Sequence, residues 1–313
     1  MKAIMYHYVQ EYNNKLPYFR YLDFENFKKQ LDYFQEKLGF VTKSNWIDFI
    51  QGKKSLESEK GVILTFDDGL ISHYRYVYPE LISRNLWGIF YVPSKVIDNN
   101  TILDVHKIHL LVGLIPERML MKKLLSVINE DMIPDNKIVE FREKTYLKHI
   151  DSADVKDFKR ILNYYIDYRY RSSVINHLAV MFNIDFTSYK NFYMNSNQLL
   201  EMSENGMIIG SHTVNHPLMS KLDYNYQEKE IGHSIEKLES TIHEKIKTYC
   251  HPYGGYHSFN ELTLQALEEH EIDYSFNVES RDISLNDMLM NPHALPRFDC
   301  NQFDYGQISK GNG

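Results

Sequence analysis

Apolar residues follow two rhythms along this chain. Near the start, "KAIMYHYV" (2–9) is a run of mostly apolar side chains that reads as a short first strand. In "DFENFKKQLDYFQEKLGF" (23–40), Phe24, Phe27, Leu31 and Phe34 recur at helical spacing, and Gly39 supplies a stop. "GVILTFDDG" (61–69) is a strong strand, because Val62, Ile63, Leu64 and Thr65 are the residues of a strand covered on both faces. "YRYVYPELISRNL" (74–86) reads as a helix, and "WGIFYVPS" (87–94) as a strand closed by Pro93. The order β-α-β-α-β implies parallel strands joined by right-handed crossovers.

The rhythm changes near residue 100. From "TILDVHKIHLLVGL" to Asn195 the helical period dominates and strand runs vanish. In "DVKDFKRILNYYI" (154–166), Val155, Phe158, Ile161, Leu162, Tyr165 and Ile166 form one stripe with charges opposite. The pattern predicts a sheet domain built from residues 1–100 and 196–313, interrupted by a helical insertion over 101–195 that would lie as a lid over a site. Alternation resumes in "NSNQLLEMSENGMIIGSHT" (195–213), with a helix, Gly206 at its end and a strand at Met207–Gly210. "IKTYCHPYGGY" (246–256) and "DYSFNV" (273–278) give further strands, with "FNELTLQALEEHE" (259–271) a helix between them.

Composition narrows the function classes. A net charge of −7 and the lack of a basic run argue against nucleic acid as a partner. No segment reaches the roughly 20 apolar residues that span a bilayer. "MKAIMYHYVQ" lacks the pattern of a signal peptide, and two cysteines make no disulfide framework, so a cytoplasmic protein is expected. The 24 Tyr and 17 Phe suit an aromatic core as well as they suit sugar stacking.

Candidate chemistry sits where strands end. Asp67 and Asp68 follow a buried strand directly, the place where parallel α/β folds collect ligands. "SHTVNHP" follows another, with His212 and His216 spaced to face one point from a single turn. One carboxylate and two imidazoles suit zinc or a similar divalent ion, leaving the second carboxylate to take a proton from water. In "YCHPYGGYH" (249–257), Pro252 fixes φ while Gly254 and Gly255 let the backbone approach a ligand.

The order "IMYHYV", "TFDDG", "SHTVNHP", "HPYGG", "LPRFD" resembles the polysaccharide deacetylase family, the carbohydrate esterase family 4-like proteins with a NodB homology domain. The resemblance covers 1–95 and 197–313. It implies an α/β fold, a distorted (β/α) barrel, with one divalent metal, zinc or else Co2+, Ni2+ or Mn2+. By position Asp67 would be the general base, and Asp68, His212 and His216 the metal ligands. The backbone N–H of Tyr253 would stabilise an oxyanion. Two departures stand out. Many relatives carry an arginine where Cys250 stands, a charge that Arg297 would supply here. Many also carry a late Leu-x-His segment for the general acid, and none follows Arg297. His7, His106, His251 and His293 are the candidates to contact substrate in that role. The activity implied is metal-dependent hydrolysis of an N-acetyl or other small acyl group from an amino sugar in surface-glycan biosynthesis. The sugar would be nucleotide-linked, lipid-linked or part of an oligosaccharide. Two alternatives remain: a glycan-binding pseudoenzyme, and an amide hydrolase acting on a non-sugar cyclic substrate.

Overall fold

The structure, a computed structural model, describes residues 1–53, 60–98, 101–146 and 151–310. Among the described residues the chain forms two compact units, one from 1–11, 21–53, 60–98 and 191–309, the other from 12–20, 101–146, 151–190 and 310. Residue 100, where the sequence predicts the domain boundary, lies outside the described residues.

The first unit is built on seven parallel strands: β1 (Lys2–Tyr6), β2 (Val62–Phe66), β3 (Ile89–Val92), β4 (Ile208–Ser211), β5 (Thr248–Cys250), β6 (Tyr274–Phe276) and β7 (Phe298–Asp299). Their order in the sheet is β6-β5-β4-β3-β2-β1-β7. Six strands therefore lie side by side in chain order, as repeated crossovers require, and the sheet curls into a half-barrel. The last segment reaches towards both edges. Leu295 bridges Phe276 of β6, and three residues later Phe298 pairs with Ile4 of β1. The expected distorted (β/α) barrel is thus the observed fold.

Period-two alternation explains why the strands look apolar throughout. Ile4, Tyr6, Val62, Leu64, Phe66, Phe90 and Val92 belong to one buried cluster, which includes Phe27, Leu31 and Phe34 from helix α1 (Phe24–Lys37). Ala3, Ile63, Ile89, Tyr91, Cys250, Phe276 and Leu295 belong to a second cluster, facing into the curl. Trp46 of α2 (Lys43–Ile50) joins the inner set, with its Nε1 donating to the Tyr274 hydroxyl at 3.1 Å.

Several elements differ from the sequence pattern. The first strand stops at Tyr6, and Val9–Gln10 pairs instead with Leu22–Asp23 in a small separate sheet. That break leaves His7 just beyond the end of β1. The helix expected from Tyr74 opens as a π-helical turn at His73–Val77 before α3 (Tyr78–Ser83). Pro79 has no N–H to donate and crowds the preceding turn, which the wider turn accommodates. Helices α4 (Ser196–Glu204), α5 (Tyr224–Ile242), α6 (Glu261–Glu269) and α7 (Leu285–Met290) complete this unit. The sequence pattern did not reveal α2 or the long α5.

The second unit consists mainly of helices Asp104–Leu114, Glu117–Val127, Asp135–Arg142, Ala153–Arg160 and Tyr168–Met181. The stripe from Val155 to Ile166 is buried, but it runs from an α-helix into a π-helical turn at Ile161–Tyr165. Buried Asp151 accepts from Arg20 at 2.8 Å and Lys159 at 2.9 Å. No helix among the described residues is long and apolar enough to cross a membrane.

Candidate metal centre and its catalytic face

Asp67 extends the inward file of β2, two residues beyond Thr65, and its N–H still bonds the Tyr6 carbonyl at 3.0 Å. The backbone then turns over. Asp68 has φ 81° and Gly69 φ 63°, and a Cβ on Gly69 would sit 2.9 Å from a methyl of Val92. Left-handed backbone is costly for a residue with a side chain, so Asp68 is held there by its surroundings. The turn lets two adjacent carboxylates take different partners.

Asp67 meets Arg297. Both arms of the guanidinium reach it, Nη1 to Oδ1 and Nη2 to Oδ2, each at 2.8 Å. Arg297 is 1 % exposed and stands in the closing segment between Leu295 and β7. It also donates to Thr65 Oγ1 at 3.0 Å and to the Asn277 carbonyl at 3.3 Å, with its Nη2 2.9 Å from Cys250 Sγ. Tyr91 and Phe276 flank it, ring centroids 5.9 and 5.7 Å away. Burial pushes the Asp67 carboxyl up, but the charge and hydrogen bonds of Arg297 outweigh it and hold the pKa below the usual carboxylate range. The carboxylate that Arg297 clamps is that of Asp67.

Asp68 meets the histidines. Its Oδ1 lies 3.6 Å from His212 Nε2 and 3.4 Å from His216 Nε2. His212 follows β4, and its Nδ1 donates to the Cys250 carbonyl at 2.8 Å, which fixes the tautomer with Nε2 as the lone-pair nitrogen. Burial lowers its pKa, so the ring is neutral. His216 arrives through a loop rather than a helix. Thr213 (φ 66°) and His216 (φ 56°) are both left-handed, and the His216 N–H bonds Thr213 Oγ1 at 2.9 Å. The two rings stand 4.7 Å apart, edge to face.

These groups fit a divalent cation. Ligand atoms of Asp68, His212 and His216 all lie within 4.8 Å of one another. His212 Nε2 is buried and has no hydrogen-bond partner among the described residues, a cost that a metal bond would remove. Asp67, His212 and Cys250 form a second set at similar distances. That set already holds the positive charge of Arg297, and burial keeps the Cys250 thiol protonated, with its pKa raised well above the ordinary value. The first set is the candidate metal centre.

Tyr253 and His7 lie beside it. Tyr253 has φ 68°, and its ring packs edge-on to His216 at 4.9 Å. His7 keeps 38 % of its side chain exposed, with Nε2 4.0 Å from Asp67 Oδ2. Its carbonyl accepts from His73 Nε2 at 2.6 Å.

The other histidines are placed differently. His251 is a core residue: its ring stacks on Phe259 at 3.8 Å, its Nε2 donates to the His293 carbonyl at 2.8 Å, and burial lowers its pKa to about 3. His293 Nε2 donates to the Ile272 carbonyl at 2.7 Å from a buried position. Neither ring is available to bind substrate. His106 lies buried on helix Asp104–Leu114 of the second unit, 5.9 Å from the His109 ring.

Sequence reasoning missed Thr65 and Asn277. Thr65 shares the inward parity of Asp67, and Asn277 ends β6 as Asp67 ends β2, so parity and strand-end position were the available signals. Asn277 Oδ1 accepts from Gly255 N at 2.6 Å and Val278 N at 2.7 Å, tying the Tyr253 turn to the Arg297 clamp.

Residues 176–275 match the family model described as polysaccharide deacetylase. Over 91 residues the chain is 29 % identical to a putative polysaccharide deacetylase, YxkH, of Bacillus subtilis, covering 29 % of this chain and 32 % of that protein. The chain thus matches about a third of the length of that curated relative. The Streptococcus pyogenes deacetylase PplD, solved in complex with acetate, superimposes with TM-score 0.59 at 16 % identity, covering 96 % of this chain and 91 % of that one. IcaB from Ammonifex degensii gives TM-score 0.56 at 17 % identity, covering 95 % and 89 %. On these matches the chain is similar to polysaccharide deacetylases over residues 176–275 and shares the fold of solved deacetylases along nearly its whole length.

Proposed function

We propose that this protein is a metal-dependent hydrolase that removes an N-acetyl or other small acyl group from an amino sugar. The observation that carries the reading is the division of partners between two adjacent carboxylates. Asp67 is held by Arg297, and Asp68 faces the two histidine nitrogens that suit a metal.

In this reading Asp68, His212 and His216 hold the ion. A divalent ion there would supply Lewis acidity and lower the pKa of water from 15.7 toward roughly 7. Asp67 is the general base. Its two bonds to Arg297 occupy only part of the four lone-pair directions of a carboxylate, so it can still accept a proton from water while its orientation stays fixed. The Tyr253 backbone N–H is assigned to the acyl oxygen as negative charge develops there. His7, exposed and close to Asp67, is the group assigned to protonate the leaving nitrogen. The products are the carboxylate of the acyl group and a free amino sugar. The substrate class is an N-acylated sugar, carried on a nucleotide or lipid or within an oligosaccharide.

Metal content tests the reading first. Protein loaded with zinc and desalted should hold about one equivalent, and His216→Ala should hold little. Asp67→Asn should keep the metal and lose acetate release from N-acetylglucosamine oligomers. Absence of bound metal in the parent protein would overturn the mechanism and favour a sugar-binding role without catalysis.

A further inference from the structure

The segment between the two metal-facing histidines is held by a carboxylate that is not itself a ligand. Glu230 lies on α5. Its Oε2 accepts from Val214 N at 2.9 Å and Asn215 N at 2.8 Å, and its Oε1 accepts from Asn215 Nδ2 at 2.5 Å. One side chain thus satisfies three N–H donors within two consecutive residues. The same loop is fixed from the turn that follows β3. Ser94 N donates to the Thr213 carbonyl at 2.9 Å, Lys95 N to the Val214 carbonyl at 3.2 Å, and Lys95 Nζ to Asn215 Oδ1 at 2.7 Å. The Asn215 amide therefore bridges an anion on α5 and a cation after β3.

This anchoring has a geometric purpose. The loop carries left-handed backbone at Thr213 and at His216, conformations that side-chain-bearing residues rarely keep without support. Without support, the loop would relax into ordinary backbone and the His216 ring would swing away from Asp68. We infer that Glu230 is a positioning residue for the metal centre, which holds the 213–216 loop in its strained form so that His212 and His216 face Asp68 before an ion arrives. The inference rests on the metal-centre reading above and adds a residue to it. Charged N–H acceptors are strong anchors, and a preformed site avoids the ordering cost on binding.

The test compares zinc affinity, by competition with a chromophoric chelator, in the parent, Glu230→Gln, Glu230→Ala and Asn215→Ala. Glu230→Gln keeps the shape of the side chain but turns an N–H toward donors that need an acceptor. It should bind zinc roughly tenfold more weakly, and Glu230→Ala about 10- to 100-fold more weakly, the range seen when partners behind metal ligands are removed. Asn215→Ala, which loses one of the three bonds to Glu230 together with the Lys95 bond but keeps both backbone N–H bonds, should show a smaller loss. Metal-free unfolding midpoints are measured in parallel. If Glu230→Ala fails to fold, the isosteric Glu230→Gln decides alone. Zinc affinity in Glu230→Gln equal to that of the parent overturns the role of Glu230 and leaves the metal centre standing. A parent that binds no zinc overturns the centre itself, so the two failures are separable.

Discussion

Asp67 and Asp68 are neighbours in sequence with opposite assignments, and the difference comes from single contacts. Asp67 is ionised because Arg297 is beside it, so replacing that arginine changes more than geometry. Arg297→Met leaves a buried carboxylate without its cation, and desolvation then raises its pKa. The acid limb of kcat/KM is expected to move upward by about one to three pH units, read from a pH–rate profile. The same variant should lose about 3–5 kcal/mol of stability near neutral pH. In the parent, the depressed pKa contributes stability that is present above the unfolded carboxylate value of about 3.9 and lost as pH falls through the folded value. An unchanged acid limb in Arg297→Met would remove the guanidinium as the cause. At this scale the sequence was informative about which side chains converge, since Asp67, Asp68, His212 and His216 announce themselves by strand-end position. It named Arg297 only as the charge standing in for an arginine at 250, because Asp67 and Arg297 are 230 residues apart and only the folded sheet brings their side chains together. The burial of His251 was not legible either, since burial is a property of packing rather than of spacing.

Among the elements, strands proved easier to read than helices. β2 and β3 are continuous apolar runs because both faces are covered, a pattern that survives any detail of packing. α5 was not legible because its buried face includes Gln227, Gly232, Ser234 and Thr241, which break the apolar stripe. β7 has two residues and no period to detect. α2 is short, yet it contributes Trp46, fully buried with its ring stacked 6.0 Å from Phe276. Trp46→Ala should therefore cost about 3–5 kcal/mol. A shift of the denaturant midpoint of less than a quarter of that would show that the inner cluster does not depend on the indole. Because Phe276 also flanks Arg297, the same variant should reduce turnover even where it remains folded.

For the molecule as a whole, all residues assigned to the metal and the base lie in the first unit. The chain leaves that unit and returns to it at nearby points: Ser196 N donates to Asp98 Oδ1 at 3.1 Å. A short Gly/Ser linker in place of residues 101–190 can therefore join the two ends without stretching. The shortened protein is expected to bind zinc with the parent's stoichiometry while its rate on different N-acetylated oligosaccharides changes. If it folds and processes each substrate as the parent does, the helical unit has no part in substrate choice.

The position of Arg297 in the closing segment has a consequence for how activity arises during synthesis. A chain emerging from the ribosome presents Asp67 and Asp68 first, then His212 and His216, and Arg297 only after all of them. In the proposed mechanism the base therefore gains its counter-charge only from the few residues that link β6 to β1.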